Sequence, residues 1–160
     1  MAKIESGIHV PMRVEDVFAF LNKRESHRRF IPRMTELRQT SQGDFGQAGT
    51  TLSGLLNYFG IRIPVEYEIV EVKPNQALSM NGKMGPFHFK DGYILGAHGN
   101  GTQIRFWLDL RPTGGARAFS PFMGLIGKIH AWETLRNLKR ELKQEIVSPR
   151  RHGDASRRSQ

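Results

Sequence analysis

Apolar and polar residues alternate without a break at the start of the chain, with Ile4, Ser6, Ile8 and Val10 on one side and Lys3, Glu5, Gly7 and His9 on the other. That two-residue period predicts a half-buried strand, closed by Pro11. The period then lengthens. Val14, Val17, Phe18 and Leu21 stand three and four apart, and Glu15 and Asp16 occupy the first turn, where the helix dipole favours acids. A short amphipathic helix over 14–22 is expected. A second, over 25–30, is ended by Pro32, whose ring disfavours helical angles at the residue before it.

From Met34 to Arg111 the pattern returns to strands, expected at 34–40, 49–60, 61–72, 77–81, 86–97 and 102–111. The separators include Gly43, Gly46, Pro74, Asn81-Gly82 and Asn100-Gly101, and Asn-Gly predicts a hairpin because both residues tolerate positive φ. Consecutive hairpins give an antiparallel sheet. Ile61, Ile63, Val65, Tyr67 and Ile69 share one face of their strand, as do Ile104, Phe106, Leu108 and Leu110, so the sheet has a single apolar face that something must cover.

The expected cover is a long helix over 119–146, with apolar residues at Phe122, Leu125, Ile126, Ile129, Trp132, Leu135, Leu138, Leu142 and Ile146. This stripe drifts: at about 100° per residue its first and second halves point in different directions, so a curved sheet is expected to grip it. Gly124 and Gly127 soften the first half, and Gly114-Gly115 reads as a loop before it, a flexible element at a cavity mouth. The architecture predicted is α+β: a curved antiparallel sheet wrapped around a long C-terminal helix, with two short helices after the first strand.

Composition narrows the possibilities. With 160 residues and 38% hydrophobic content, the chain fits one globular domain over 1–146, followed by a basic tail over 147–160 too poor in apolar residues to order itself. The absence of cysteine removes thiol nucleophiles, disulfides and zinc-thiolate sites. The six histidines are scattered without ligand spacing, so no metal and no cofactor is expected. The start of the chain lacks the apolar core of a secretion signal and no stretch is long enough to span a bilayer, which makes the cytoplasm the expected location. A net charge of +9, with clusters at Lys23, Arg24, Arg28, Arg29, Arg33 and Arg38 and in the tail, allows peripheral contact with an anionic membrane. No nucleic-acid motif accompanies that charge, so nucleic acid is not an expected partner. Nothing in the sequence fixes an oligomeric state.

The segment VPMRVEDVFAFLNKRESHRRFIPRM, a strand end, a proline, a helix and then Phe30-x-Pro32, resembles the opening of START-like (SRPBCC) proteins, the polyketide cyclase/dehydrase and lipid-transport relatives. Gly85-Pro86-Phe87, Gly101-Thr102 and the stretch Leu135 to Lys139 resemble that family's strand pair and closing helix, and the likeness extends over about residues 4–146. The resemblance implies the helix-grip fold, with a cavity between sheet and helix that holds lipids, isoprenoid quinones, polyketides or other hydrophobic molecules.

The residues assigned inward suit such a lining: Tyr67, Met80, Phe87, Phe89, Tyr93, Phe106 and Leu108 from the strands, and Phe122, Met123, Ile126 and Ile129 from the helix. Ordinary core packing uses the same residue types. Polar candidates for catalysis are Asp91, Tyr93 and His130. If alternation continues, Asp91 stands between Phe89 and Tyr93 on the aromatic side; a bulge at Asp91-Gly92, which the glycine predicts, turns it outward. His88 falls on the wet face, and Tyr58, Tyr67 and Tyr93 are each able to donate to a ligand carbonyl, although a buried tyrosine normally donates to the protein itself. Two functions follow: sequestration or transport of a hydrophobic molecule, or a cyclase/dehydratase that folds a polyketide-like chain in the same cavity and moves protons through these groups.

Overall fold

Seven strands pair antiparallel throughout in the order β1-β7-β6-β5-β4-β3-β2, in a computed structural model that describes residues 2–147. The strands are β1 (Ala2–Val10), β2 (Met34–Gln39), β3 (Thr51–Tyr58), β4 (Ile61–Lys73), β5 (Ala77–Met84), β6 (Phe87–His98) and β7 (Gly101–Pro112). Two short helices, α1 (Val14–Leu21) and α2 (Arg24–Phe30), follow β1, and a 3-10 helix (Gly114–Phe122) leads into the long α3 (Met123–Val147). This is the expected helix-grip arrangement, a curved open sheet with α3 packed along β1 and β7 and against α2. β2 to β7 form successive hairpins, and β1 closes beside β7 because its alternating inward residues Ile4 and Ile8 continue the apolar face of Leu108 and Ile104.

Two turns differ from expectation. Asn81 and Gly82 lie inside β5, and the β5–β6 connection falls at Gly85-Pro86. Gly82 is there for space: a Cβ on it would run into the carbonyl oxygen of Glu66 and the Cβ of Tyr67 on the neighbouring strand. The β3–β4 connection is the pair Phe59-Gly60, both at positive φ (53° and 88°), as a tight two-residue hairpin requires. The Gly114-Gly115 pair is no open loop; it starts the 3-10 helix.

The buried line of α3 includes the expected Leu135, Leu138 and Leu142, but its first half is not the one expected. Met123, Gly127, Ala131, Leu135, Leu138 and Leu142 are buried, whereas Phe122, Leu125, Ile126, Ile129 and Trp132 are substantially exposed. Small residues at 127 and 131 continue the line of the three leucines at spacings of three and four, so no drift of the stripe has to be accommodated. Gly127 packs so close to Ile4 that a Cβ there would overlap its Cδ1. A reading that counts only large apolar side chains passes over such positions. The basic cluster of residues 23–38 is partly neutralised by this helix. Arg29 pairs with Glu141 at 2.8 Å and Glu145 at 3.3 Å, and Arg33 with Glu133 at 3.2 Å. The expected tail lies, beyond Val147, outside the described residues.

Candidate functional site

Between the sheet and the first half of α3 lies a cavity of about 270 Å³. Its floor comes from the inward face of the central strands: Tyr67 on β4, Met80 on β5, Phe89, Asp91 and Tyr93 on β6, and Leu108 on β7. Ile126, Ile129 and His130 of α3 form one side. Leu56 and Tyr58 of β3, with Ile31, Arg33 and Met34 from the α2–β2 junction, form the other.

Nine of the sequence-assigned residues, Tyr67, Met80, Phe89, Asp91, Tyr93, Leu108, Ile126, Ile129 and His130, meet at this cavity. Four assigned to its lining do not. Phe106 is fully buried, its ring 5.1 Å from that of Tyr93, and fills core instead of bordering space. Met123 is buried at the head of α3, and Phe87 is half-buried at the start of β6, packed on the core's edge. Phe122 ends the 3-10 helix with its side chain 58% exposed. Apart from Tyr58, the β2–β3 wall was missed; on β2 a bulge between Met34 and Glu36 breaks the alternation, so that Met34 and Leu37 both pack on the core.

The acid expected to bulge outward points inward. β6 pairs in unbroken register with β7 from Phe87 to His98 and with β5 from Phe87 to Ile94, which sets Asp91 opposite Met80 and Leu108 and only 8% exposed. Gly92 does not bulge; it makes room on the opposite face for the Trp107 indole, which a Cβ would meet at 2.7 Å. Oδ1 of Asp91 is buried and has no hydrogen-bond partner among the described residues. Burial without a partner disfavours the charged form and pushes this carboxyl up to about 7. The Tyr67 and Tyr93 hydroxyls are pushed up as well, by burial first and then by the nearby Asp91 charge. His130, half-buried, is pushed down to about 4 by desolvation, against the opposing pull of Glu133.

Behind Tyr67 sits a histidine that the sequence reading left among the scattered ones. Nε2 of His27 lies 2.7 Å from the Leu21 carbonyl, which can only accept, so Nε2 carries the proton. Nδ1 must then accept from the Tyr67 hydroxyl at 2.9 Å. Burial holds His27 near 4, and the ring is neutral at physiological pH. The Tyr67 proton is therefore committed to the protein, as is usual for a buried tyrosine, leaving its oxygen to the cavity as an acceptor and not as a donor to a ligand. His27 stacks on Tyr67 and packs against Phe30 and Phe45. Its three-residue spacing from Phe30 on one helix face was the available signal.

The family model for polyketide cyclase/dehydrase and lipid transport matches residues 1–143. The chain belongs to this family. Among solved structures, the fold is similar to a START superfamily protein from Mycobacterium smegmatis at 10% identity, with a TM-score of 0.76 over 90% of this chain and 99% of that one. The Zhui aromatase/cyclase from a Streptomyces species superposes with a TM-score of 0.77 at 9% identity over 92% and 96% of the two chains. A conserved protein from Geobacillus kaustophilus gives 0.70 at 15% identity over 89% and 95%. No curated protein matches the sequence itself. At these identities the structural likenesses establish the shared fold. Among the described residues, no three histidine and carboxylate side chains gather as a metal site, and no helix is long and apolar enough to cross a membrane.

Proposed function

We propose that this family member binds a hydrophobic small molecule in the cavity between the sheet and α3, for sequestration or transport, and that the molecule carries a hydroxyl or similar donor that meets Asp91. The observation that carries this reading is a largely apolar cavity with one buried, partnerless carboxylate oxygen on its wall. Apolar burial at roughly 25 cal/mol per Å² supplies most of the affinity. Asp91 in its ionised form and the outward lone pair of Tyr67 are both acceptors, so they orient a guest by its donor, and a guest hydroxyl that donates to Asp91 favours that form; a lipid alcohol, a quinol or a phenolic polyketide fits this description.

The experiment is organic extraction of the purified protein with mass spectrometry, together with uptake of the apolar fluorophore N-phenyl-1-naphthylamine and its displacement by candidate lipids. Probe uptake that is lost in Met80→Trp and Ile126→Trp, and a loss of about tenfold in affinity for a hydroxylated guest in Asp91→Asn, are expected. A protein that extracts clean, takes up no probe and gains no thermal stability from any lipid overturns the proposal.

A second reading, a cyclase/dehydratase, is favoured by one observation: the carboxyl pushed to about 7 faces the cavity, as do Tyr67, Tyr93 and His130. A group that titrates near working pH suits proton transfer to and from a polyketide-like chain. Aromatic product formed from a linear polyketide thioester, and abolished in Asp91→Asn, would support it; equal turnover in Asp91→Asn, Tyr93→Phe and His130→Ala would remove these residues from the chemistry.

A further inference from the structure

The outer face of α3 is apolar where a surface helix is ordinarily polar. Leu125, Ile129 and Trp132 lie on the side of the helix away from the buried Met123–Gly127–Ala131–Leu138 line, Phe122 precedes them at the end of the 3-10 helix, and Leu125 and Trp132 are 62% and 58% exposed. The β3–β4 turn adds Phe59, 93% exposed at its tip, and Ile61 beside it. These two groups are neighbours. Phe59, Ile126 and Ile129 all border the cavity, and Arg33 links its two sides, with its guanidinium 5.6 Å from the Phe59 ring and 3.2 Å from Glu133 on α3. Single exposed apolar residues are ordinary, but a contiguous group around a cavity mouth marks an interface.

The charge around this group identifies the occupant. From Thr113 to Lys139 the chain carries Arg117, Lys128, Arg136 and Lys139 against the single acid Glu133, which Arg33 already pairs. Arg136 stacks over Trp132 at 4.3 Å, and Arg62 stands exposed beside the Phe59 turn. Aromatic and aliphatic side chains rimmed by lysine and arginine match the boundary between acyl chains and anionic headgroups. A symmetric pair of copies would instead set the same basic rim against itself.

We propose that this face, Phe59 and Ile61 with Phe122, Leu125, Ile129 and Trp132, docks on an anionic lipid surface and turns the cavity mouth toward the bilayer. An apolar guest then passes between membrane and cavity without crossing water. Phe59 and Ile129 of this face border the cavity, whereas Phe122, Leu125 and Trp132 do not, so docking can be tested at these three without altering the ligand site.

Trp132 is a built-in reporter, since Trp107 is the only other tryptophan and packs over Gly92 on the far face of the sheet. In Trp107→Phe, emission is expected to move to shorter wavelength on mixing with phosphatidylcholine vesicles containing phosphatidylglycerol, to move less with phosphatidylcholine alone, and to relax as salt rises. In vesicle flotation, Phe122→Glu/Leu125→Glu is expected to weaken association at least about tenfold while still taking up N-phenyl-1-naphthylamine, so that loss of docking and loss of ligand binding are distinguishable. Should Trp107→Phe not fold, flotation of the unsubstituted protein against the double variant decides the question alone. Four results overturn the proposal: no binding to either vesicle type; equal flotation of the double variant; a blue shift that grows with protein concentration without vesicles, which assigns the face to a second copy; or a shift with polyglutamate in place of vesicles, which assigns it to an acidic protein.

Discussion

The Tyr67 hydroxyl donates to Nδ1 of His27 across 2.9 Å, and the direction is set from 2.7 Å on the far side of the ring, where the Leu21 carbonyl takes the Nε2 proton. One buried imidazole thus ties the end of α1 to the centre of β4 and decides which face of a tyrosine the cavity sees.

His27→Ala leaves the Tyr67 hydroxyl and the Leu21 carbonyl without their partner and opens space among Phe30, Phe45 and Tyr67. The expected cost is about 3 kcal/mol, read as a lower urea midpoint at neutral pH. Tyr67→Phe removes one bond while keeping the ring, and about 1 kcal/mol is expected.

Two buried groups should tilt stability with pH in opposite senses. His27 falls from 6.5 to about 4 on folding, so the unfolded chain binds the extra proton and stability declines as pH drops from 6.5 toward 4. Asp91 rises from 3.8 to about 7, so the folded chain holds the extra proton and stability declines as pH climbs from 3.8 toward 7. At full extent the histidine is worth roughly 3 kcal/mol and the carboxyl roughly 4 kcal/mol. His130 shifts in the same direction as His27, with a smaller effect because solvent reaches it. The slopes offset one another between pH 4 and 6.5 in the unsubstituted protein. Asp91→Asn should expose the histidine slope, losing stability on acidification, and should be more stable than the parent at pH values well above 7. Denaturant midpoints across this range check it, and an unchanged profile in Asp91→Asn would contradict the buried carboxyl.

At Gly82 an added methyl meets the Glu66 carbonyl and the backbone of Tyr67, and neither can move without parting β4 from β5. Gly82→Ala is expected to cost more than about 2 kcal/mol and to weaken probe uptake, since Tyr67 is displaced with its strand. Thermal melts and fluorophore titration measure the two effects.

The Glu141 side chain is only 11% exposed and accepts from both Nε and an Nη of Arg29, at 2.9 and 2.8 Å, whereas that of Glu145 is 35% exposed. Glu141→Ala should therefore cost about 1 to 2 kcal/mol and Glu145→Ala less than about 0.5, by urea unfolding.

Much of the fold was legible because strand and helix periods are local properties. Ile4 to Val10, Val14 to Leu21 and Ile104 to Leu110 each reveal their element in a few residues, and their order leaves few topologies. Asp91 was legible only in part: its parity pointed inward, and the glycine beside it argued for a bulge that Trp107, arriving from a neighbouring strand, makes unnecessary.

What the sequence determined by itself is the list and order of elements, the single apolar face of the sheet and the family. Tertiary structure decided which apolar residues are core and which are surface: on α3 the interior went to Met123, Gly127 and Ala131, and Leu125 and Trp132 were left outside, because the close approach of the helix to Ile4 admits a glycine at 127. It also decided the site, since the distance from His27 to Tyr67, 40 residues apart, depends on strands and helices closing around one volume, and no local period encodes that.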